Sequence, residues 1–133
     1  MNSDAKTNQE GVATTILIAD DDEDVLTLVQ RALSESGYEV LLARDGASAL
    51  ATARERKPAL ALIDIAMPEL DGYEVTAALK NDPATKETVV ILFTARSEAS
   101  DVEKGYEAGA DDYIMKPFTL KTLQSRVRAA LDK

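Results

Sequence analysis

Neither cysteine nor histidine occurs among the 133 residues. The first absence excludes disulfides, thiolate nucleophiles and cysteine zinc sites. The second excludes histidine general bases, Ser-His-Asp triads and histidine metal ligands. Any metal held here must rest on oxygen. Positive charge is also scarce: 15 Lys and Arg against 24 Asp and Glu leave a net charge of −9. That balance argues against direct binding of nucleic acid or an anionic membrane. Apolar runs such as Val89 to Phe93 are far too short to span a bilayer. The polar N-terminus carries no signal-peptide pattern, so a cytoplasmic protein is expected. What is present is an ordinary apolar share of 45% on a length that suits one domain.

Residues 1–13 are polar and aperiodic and read as a flexible tail, with one domain over 14–133. From Thr15 onward, short apolar runs alternate with segments of helical period. Ile16 to Ala19 is a strand-length run ending in acid. Val25, Leu28, Val29, Ala32 and Leu33 form a helical stripe that Gly37 closes. Tyr38 to Ala43 reads as a second strand, and Asp45 caps a helix that must end before Pro58. Ala59 to Ile63 is a third strand, followed by acid at Asp64. Asp71 and Glu74 have the spacing of a capping box. Val89 to Phe93 has the composition of a strand buried on both faces. Residues 98–108 form a helix with a thin stripe of Ala99, Val102 and Tyr106, hence weak anchoring. Tyr113 to Met115 is a fifth strand. Thr119 caps a last helix with Leu120, Leu123, Val127, Ala130 and Leu131 inward. Strict alternation predicts an α/β fold with a doubly wound, five-stranded parallel sheet and five helices.

In such a sheet, ligands sit beyond the carboxyl ends of the strands. Asp20 to Asp24 follow the first strand, Asp64 the third, Thr94 and Ala95 the fourth and Lys116 the fifth. Singly, each has a plainer reading: helix capping for the acid run, a turn residue, a cap hydroxyl, a solvated lysine. Jointly, they bring carboxylates, a hydroxyl and an ammonium to one edge. Clustered carboxylates repel unless a cation lies among them. Without histidine or cysteine, a hard cation such as Mg2+ is the natural occupant. A calcium-binding EF-hand loop does not fit, because Val25 stands where its glycine would be. Nor does a glycine-rich phosphate loop, because the loop after the first strand is acidic, which also disfavours a flavin phosphate.

Four segments together resemble the receiver domain of bacterial two-component response regulators: Ile16 to Asp22, Leu62 to Gly72, Phe93 to Ala95 and Gly109 to Phe118. The resemblance covers residues 15–131. It implies the flavodoxin-like strand order 2-1-3-4-5 and a switch driven by phosphorylation. Carried over, Asp64 is the phosphoryl acceptor. Asp20, Asp21, Asp64 and the backbone carbonyl of Ala66 hold Mg2+. Thr94 and Lys116 contact the phosphoryl group, Thr94 and Tyr113 form the switch pair, and the Lys116–Pro117 peptide is cis. Tyr113 is expected to turn inward on activation. Ala66 and Arg96 flank the acceptor and the hydroxyl at positions that vary in the family.

The implied partners are a sensor histidine kinase or phosphotransfer protein, and a downstream partner or an output domain. Catalysis is limited to self-phosphorylation from small donors and autodephosphorylation. An Mg2+-dependent phosphohydrolase using the same aspartyl phosphate is the alternative enzyme. It would want a second acid two residues after the nucleophile, where Ala66 stands. A pseudo-receiver acting only as an interaction module is the third reading. In the transcription-factor branch, receivers pair through the fourth helix, fifth strand and fifth helix. By that likeness Asp111 with Arg128, and Asp112 with Arg126, supply ion pairs across the two-fold axis. Val102 and Tyr106 supply apolar contact. A monomer, or a weak activation-dependent homodimer, is expected.

Overall fold

The computed structural model describes residues 13–132, so nearly all of the tail expected over 1–13 lies outside the described residues. Strands and helices alternate: β1 (Thr15–Ala19), α1 (Glu23–Glu35), β2 (Glu39–Ala43), α2 (Gly46–Arg56), β3 (Leu60–Ile63), α3 (Gly72–Lys80), β4 (Val89–Thr94), α4 (Ala99–Ala108), β5 (Asp112–Met115) and α5 (Leu120–Leu131). The strands are parallel in the order β2-β1-β3-β4-β5. This is the doubly wound α/β architecture expected from the alternation and, for its order, from the resemblance.

Period-two alternation sends successive strand residues to two cores. Ile16, Ile18, Leu60, Leu62, Ile91, Phe93 and Ile114 meet α1 and α5 through Leu26, Val29, Leu33, Leu123 and Val127. Leu17, Ala19, Ala61, Ile63, Val90 and Leu92 meet α2 and α3 through Ala49, Leu50, Ala53, Val75 and Leu79. The three central strands are buried on both faces, as their unbroken apolar runs require.

Helix ends follow their local chemistry. Asp22, Asp45 and Thr119 accept backbone N–H bonds at the starts of α1, α2 and α5. Asp71 and Glu74 form the expected capping box. Gly37, with φ 98°, follows the end of α1 in the left-handed conformation that glycine adopts without steric cost.

Three helical stripes differ from their sequence reading. In α1 the inward residues are Leu26, Val29, Ala32 and Leu33, and Leu28 is 53% exposed. The buried face is centred between Val29 and Leu33, and each residue turns the helix by roughly 100°, which carries Leu28 to the flank. In α4 only Gly105 is fully buried; Ala99 and Tyr106 are exposed and Val102 is half-buried. A Cβ at position 105 would lie 2.9 Å from Leu92 Cδ1 and 3.1 Å from the Tyr113 ring, so the missing side chain lets the helix backbone rest on both. The weak anchoring expected of this helix thus stands, through a different residue. In α5, Leu123 and Val127 are buried, whereas Leu120, Ala130 and Leu131 are only half-buried at the margin.

Candidate functional site

The carboxyl ends of β1, β3, β4 and β5 converge on one edge. The Asp64 N–H donates to the Ala19 carbonyl at 2.9 Å, joining the ends of β1 and β3. The Lys116 N–H donates to the Thr94 carbonyl at 2.8 Å, joining those of β4 and β5. Asp20, Asp64 and Thr94 are all buried, which is unusual for such groups and requires partners.

Those partners are present. The Lys116 ammonium donates to Asp20 Oδ2 at 2.8 Å and stands 3.5 Å from Asp64 Oδ2. Asp20 Oδ1 accepts the Asp22 N–H at 2.9 Å, and Asp64 Oδ1 accepts the Ala66 N–H at 3.4 Å. Thr94 Oγ1 accepts the Arg96 N–H at 3.4 Å. The expected cis bond between Lys116 and Pro117 is present.

Carboxylate oxygens of Asp20, Asp21 and Asp64 all lie within 4.8 Å of one another, with Asp21 exposed to solvent. Burial pushes the Asp20 carboxyl above the usual range, and its hydrogen bond to Lys116 opposes that shift. One ammonium shared between two buried acids and a nearby third leaves negative charge uncompensated. An all-oxygen donor set with one side open to water suits a hard divalent cation that keeps part of its hydration. A cavity of about 610 Å3 lies at the opposite end of the sheet, beside Lys80, Asp111 and Arg126, and takes no part in this cluster.

The other expected positions separate into two groups. Ala66 is exposed beside the acids. Tyr113, expected to turn inward on activation, already lies inward in this structure, 6% exposed, because its hydroxyl finds an acceptor in the Arg96 carbonyl at 2.8 Å. By contrast, three of the four charges expected to meet a second copy, Asp111, Asp112 and Arg126, are paired within the chain. Arg126 grips both oxygens of Asp112 at 2.6 and 2.8 Å. Asp111 accepts from Lys80 Nζ and from the Val90 N–H, each at 2.9 Å. Tyr106 and Arg128 face solvent, and Val102 is half-buried.

Two features escaped the sequence reading. Tyr73, in the first turn of α3, donates its hydroxyl to the Asp101 carbonyl at 3.1 Å, and the Lys104 ammonium stands 4.7 Å from its ring centre. An aromatic at an apolar helix position signals burial but not where its hydroxyl points. Glu23, in the acid run, pairs with Arg44 after β2 and so braces the rim of the site.

The geometry agrees with what the chain is similar to. The family described as response regulator receiver domain matches residues 16–128. The transcriptional regulatory protein PrrA of Mycobacterium tuberculosis is 47% identical over 116 residues, covering 87% of this chain and 49% of PrrA. The chain spans about half the length of the curated relatives it matches. Among solved structures, the receiver domain of a signal transduction histidine kinase from Syntrophus aciditrophicus is 36% identical with a TM-score of 0.84, covering 90% of this chain and 91% of that one. The receiver domain of a sensor histidine kinase from Pseudomonas aeruginosa, solved with a magnesium ion coordinated in its active site cleft, is 29% identical with a TM-score of 0.84 and covers 90% of this chain and 98% of that one.

Proposed function

The chain belongs to the response regulator receiver domain family of two-component systems, and from that premise we propose that it is a signalling switch set by phosphorylation of Asp64. The observation that carries this reading is the single ammonium of Lys116 shared between Asp20 and Asp64 at the sheet edge. It leaves a nucleophilic carboxylate beside a fixed cation and an acid cluster suited to Mg2+.

In the proposed reaction an oxygen of Asp64 attacks phosphorus. The phosphohistidine N–P bond of the donor breaks, an acyl phosphate forms and the imidazole leaves. Asp20, Asp21, Asp64 and the Ala66 carbonyl would hold Mg2+, which when bound neutralises charge on the phosphoryl oxygens. Lys116 supplies a second positive charge to the same oxygens. Hydrolysis of the acyl phosphate by water resets the switch, and this reaction, with self-phosphorylation from small donors, is the extent of its catalysis.

The signal leaves through a short relay. Thr94 Oγ1 accepts the Arg96 N–H, and the Arg96 carbonyl accepts the Tyr113 hydroxyl. A phosphoryl oxygen that captures the Thr94 hydroxyl therefore pulls on the residue that anchors Tyr113, at the edge of weakly held α4. The proposed partners, met in the cytoplasm, are a sensor histidine kinase or phosphotransfer protein upstream, and an output domain or partner protein downstream.

Mg2+-dependent labelling by acetyl phosphate, followed by mass spectrometry, tests the reading. The phosphoryl group is expected on Asp64 and lost in Asp64→Asn. Labelling of Thr94 or Ser97 instead overturns it. No observation favours the phosphohydrolase, because Ala66 offers no acid to a leaving group.

A further inference from the structure

Lys116 has a third neighbour besides its two acids. Its ammonium lies over the face of the Phe93 ring, 5.0 Å from the centre. Phe93 is fully buried, and its ring is fixed from the side by Phe118, 6.0 Å away and tilted by 45°. Strand alternation explains the placement. Phe93 shares its face of β4 with Ile91, against α1 and α5, whereas Thr94 next to it is turned the other way. The last apolar residue of β4 thus forms the floor beneath the lysine.

The three contacts differ in what survives when the site is used. Asp20 makes the shortest, at 2.8 Å, yet a cation among Asp20, Asp21 and Asp64 would draw on that same carboxylate. The ring face attracts an ammonium through its quadrupole, lacks the donor atoms a hard cation takes, and cannot be protonated.

We propose that Phe93 is a positioning residue for phosphoryl transfer: its ring holds the Lys116 ammonium over Asp64 when Asp20 is engaged by the metal. The proposal rests on the reading of Asp64 as acceptor. With a weaker ring, Lys116 leans on Asp20 and competes there with Mg2+, so metal affinity and labelling rate fall together.

Stepwise fluorination of position 93, with mono-, di- and trifluorophenylalanine inserted at that site alone, drains the ring face while nearly keeping its shape. Labelling of Asp64 by acetyl phosphate is expected to slow in the same order, by about fivefold at trifluoro. The Mg2+ dissociation constant, followed by NMR shifts of the Asp21 and Asp64 amides without any phosphodonor, is expected to rise in parallel. The same series at Phe118 is expected to change neither. A flat series at position 93, or equal trends at 93 and 118, overturns the proposal. If the fluorinated chains do not fold, Phe93→Tyr, which keeps the ring, is expected to retain both properties and Phe93→Leu to weaken both by about the same fivefold; equal behaviour of the two overturns it. Labelling that persists in Asp64→Asn would instead defeat the acceptor reading, while the Mg2+ series still reports on the contact between ring and lysine.

Discussion

Tyr113 gives its hydroxyl hydrogen to the Arg96 carbonyl at 2.8 Å, and this bond ties the interior strand residue to the segment leading into α4. Removing it with Tyr113→Phe is expected to cost about 1 kcal/mol. The loss should be concentrated locally: amide hydrogen exchange across residues 96–102 is expected to quicken, with little change in β1 or β3.

The same residue gives an alkaline limit. Burial, then Tyr73 and Asp101, push the Tyr113 phenol up to about 12. The unfolded phenol ionises near 10. The folded state therefore holds its proton more tightly, and this contribution to stability is complete below pH 10. It is lost as pH rises from about 10 to 12. Denaturant unfolding across that range is expected to show falling stability, with a shallower fall in Tyr113→Phe.

Metal binding should be visible as stability. A ligand for the folded state alone adds about 1.4 kcal/mol at ten times its dissociation constant. Thermal melting is expected to move upward with millimolar Mg2+ in the wild type, and much less in Asp21→Asn. Because Asp21 is exposed while Asp20 and Asp64 are buried, that variant removes a ligand without opening the core. An unchanged melting point in both proteins would count against the site.

Gly72 sets the spacing between α3 and the acceptor. A Cβ there would lie 2.6 Å from the Asp64 carbonyl oxygen and 2.7 Å from Ile65 Cα, both backbone atoms that cannot swing away. Gly72→Ala is expected to cost about 2 kcal/mol by overpacking and to slow labelling of Asp64. Chemical denaturation and the labelling rate check the two effects separately.

The clasp of Arg126 on Asp112 bears on assembly. To reach a second copy, Arg126 must first leave a bidentate partner in its own chain. A half-exposed pair contributes only about 0–1 kcal/mol, so exchanging one for another gains little. Ultracentrifugation is expected to find a monomer, and at most a weak dimer with beryllofluoride, weakened further by Arg126→Glu. A tight dimer without the phosphoryl mimic, or one indifferent to that substitution, would show that this surface does not pair the chains as expected.

Much of this molecule was legible where one force dominates. Val89 to Phe93 read as a central strand and Asp71 with Glu74 as a helix start, and both are found so, because burial and capping act over a few adjacent residues. The acids, Thr94 and Lys116 were legible as a set because strand ends in a parallel sheet share one edge. Quantities set by the third dimension were not. Leu28 and Leu26 are equally apolar, and only the axis of α1 against the sheet decides which is covered. Gly105 holds α4 down by having no side chain, a signal that apolar periodicity cannot carry. Arg126 and Asp112 were read as partners, but spacing along the chain does not say whether the partner belongs to the same copy.

The strand order also shapes how the chain assembles. β1 lies between β2 and β3, with β4 and β5 added outward in turn. Lys116, which follows β5, stands 96 residues along the chain from its partner Asp20. A domain folds as a unit, so acids and ammonium come together only when the last strand joins the sheet, and no fragment that stops short of β5 holds the complete site.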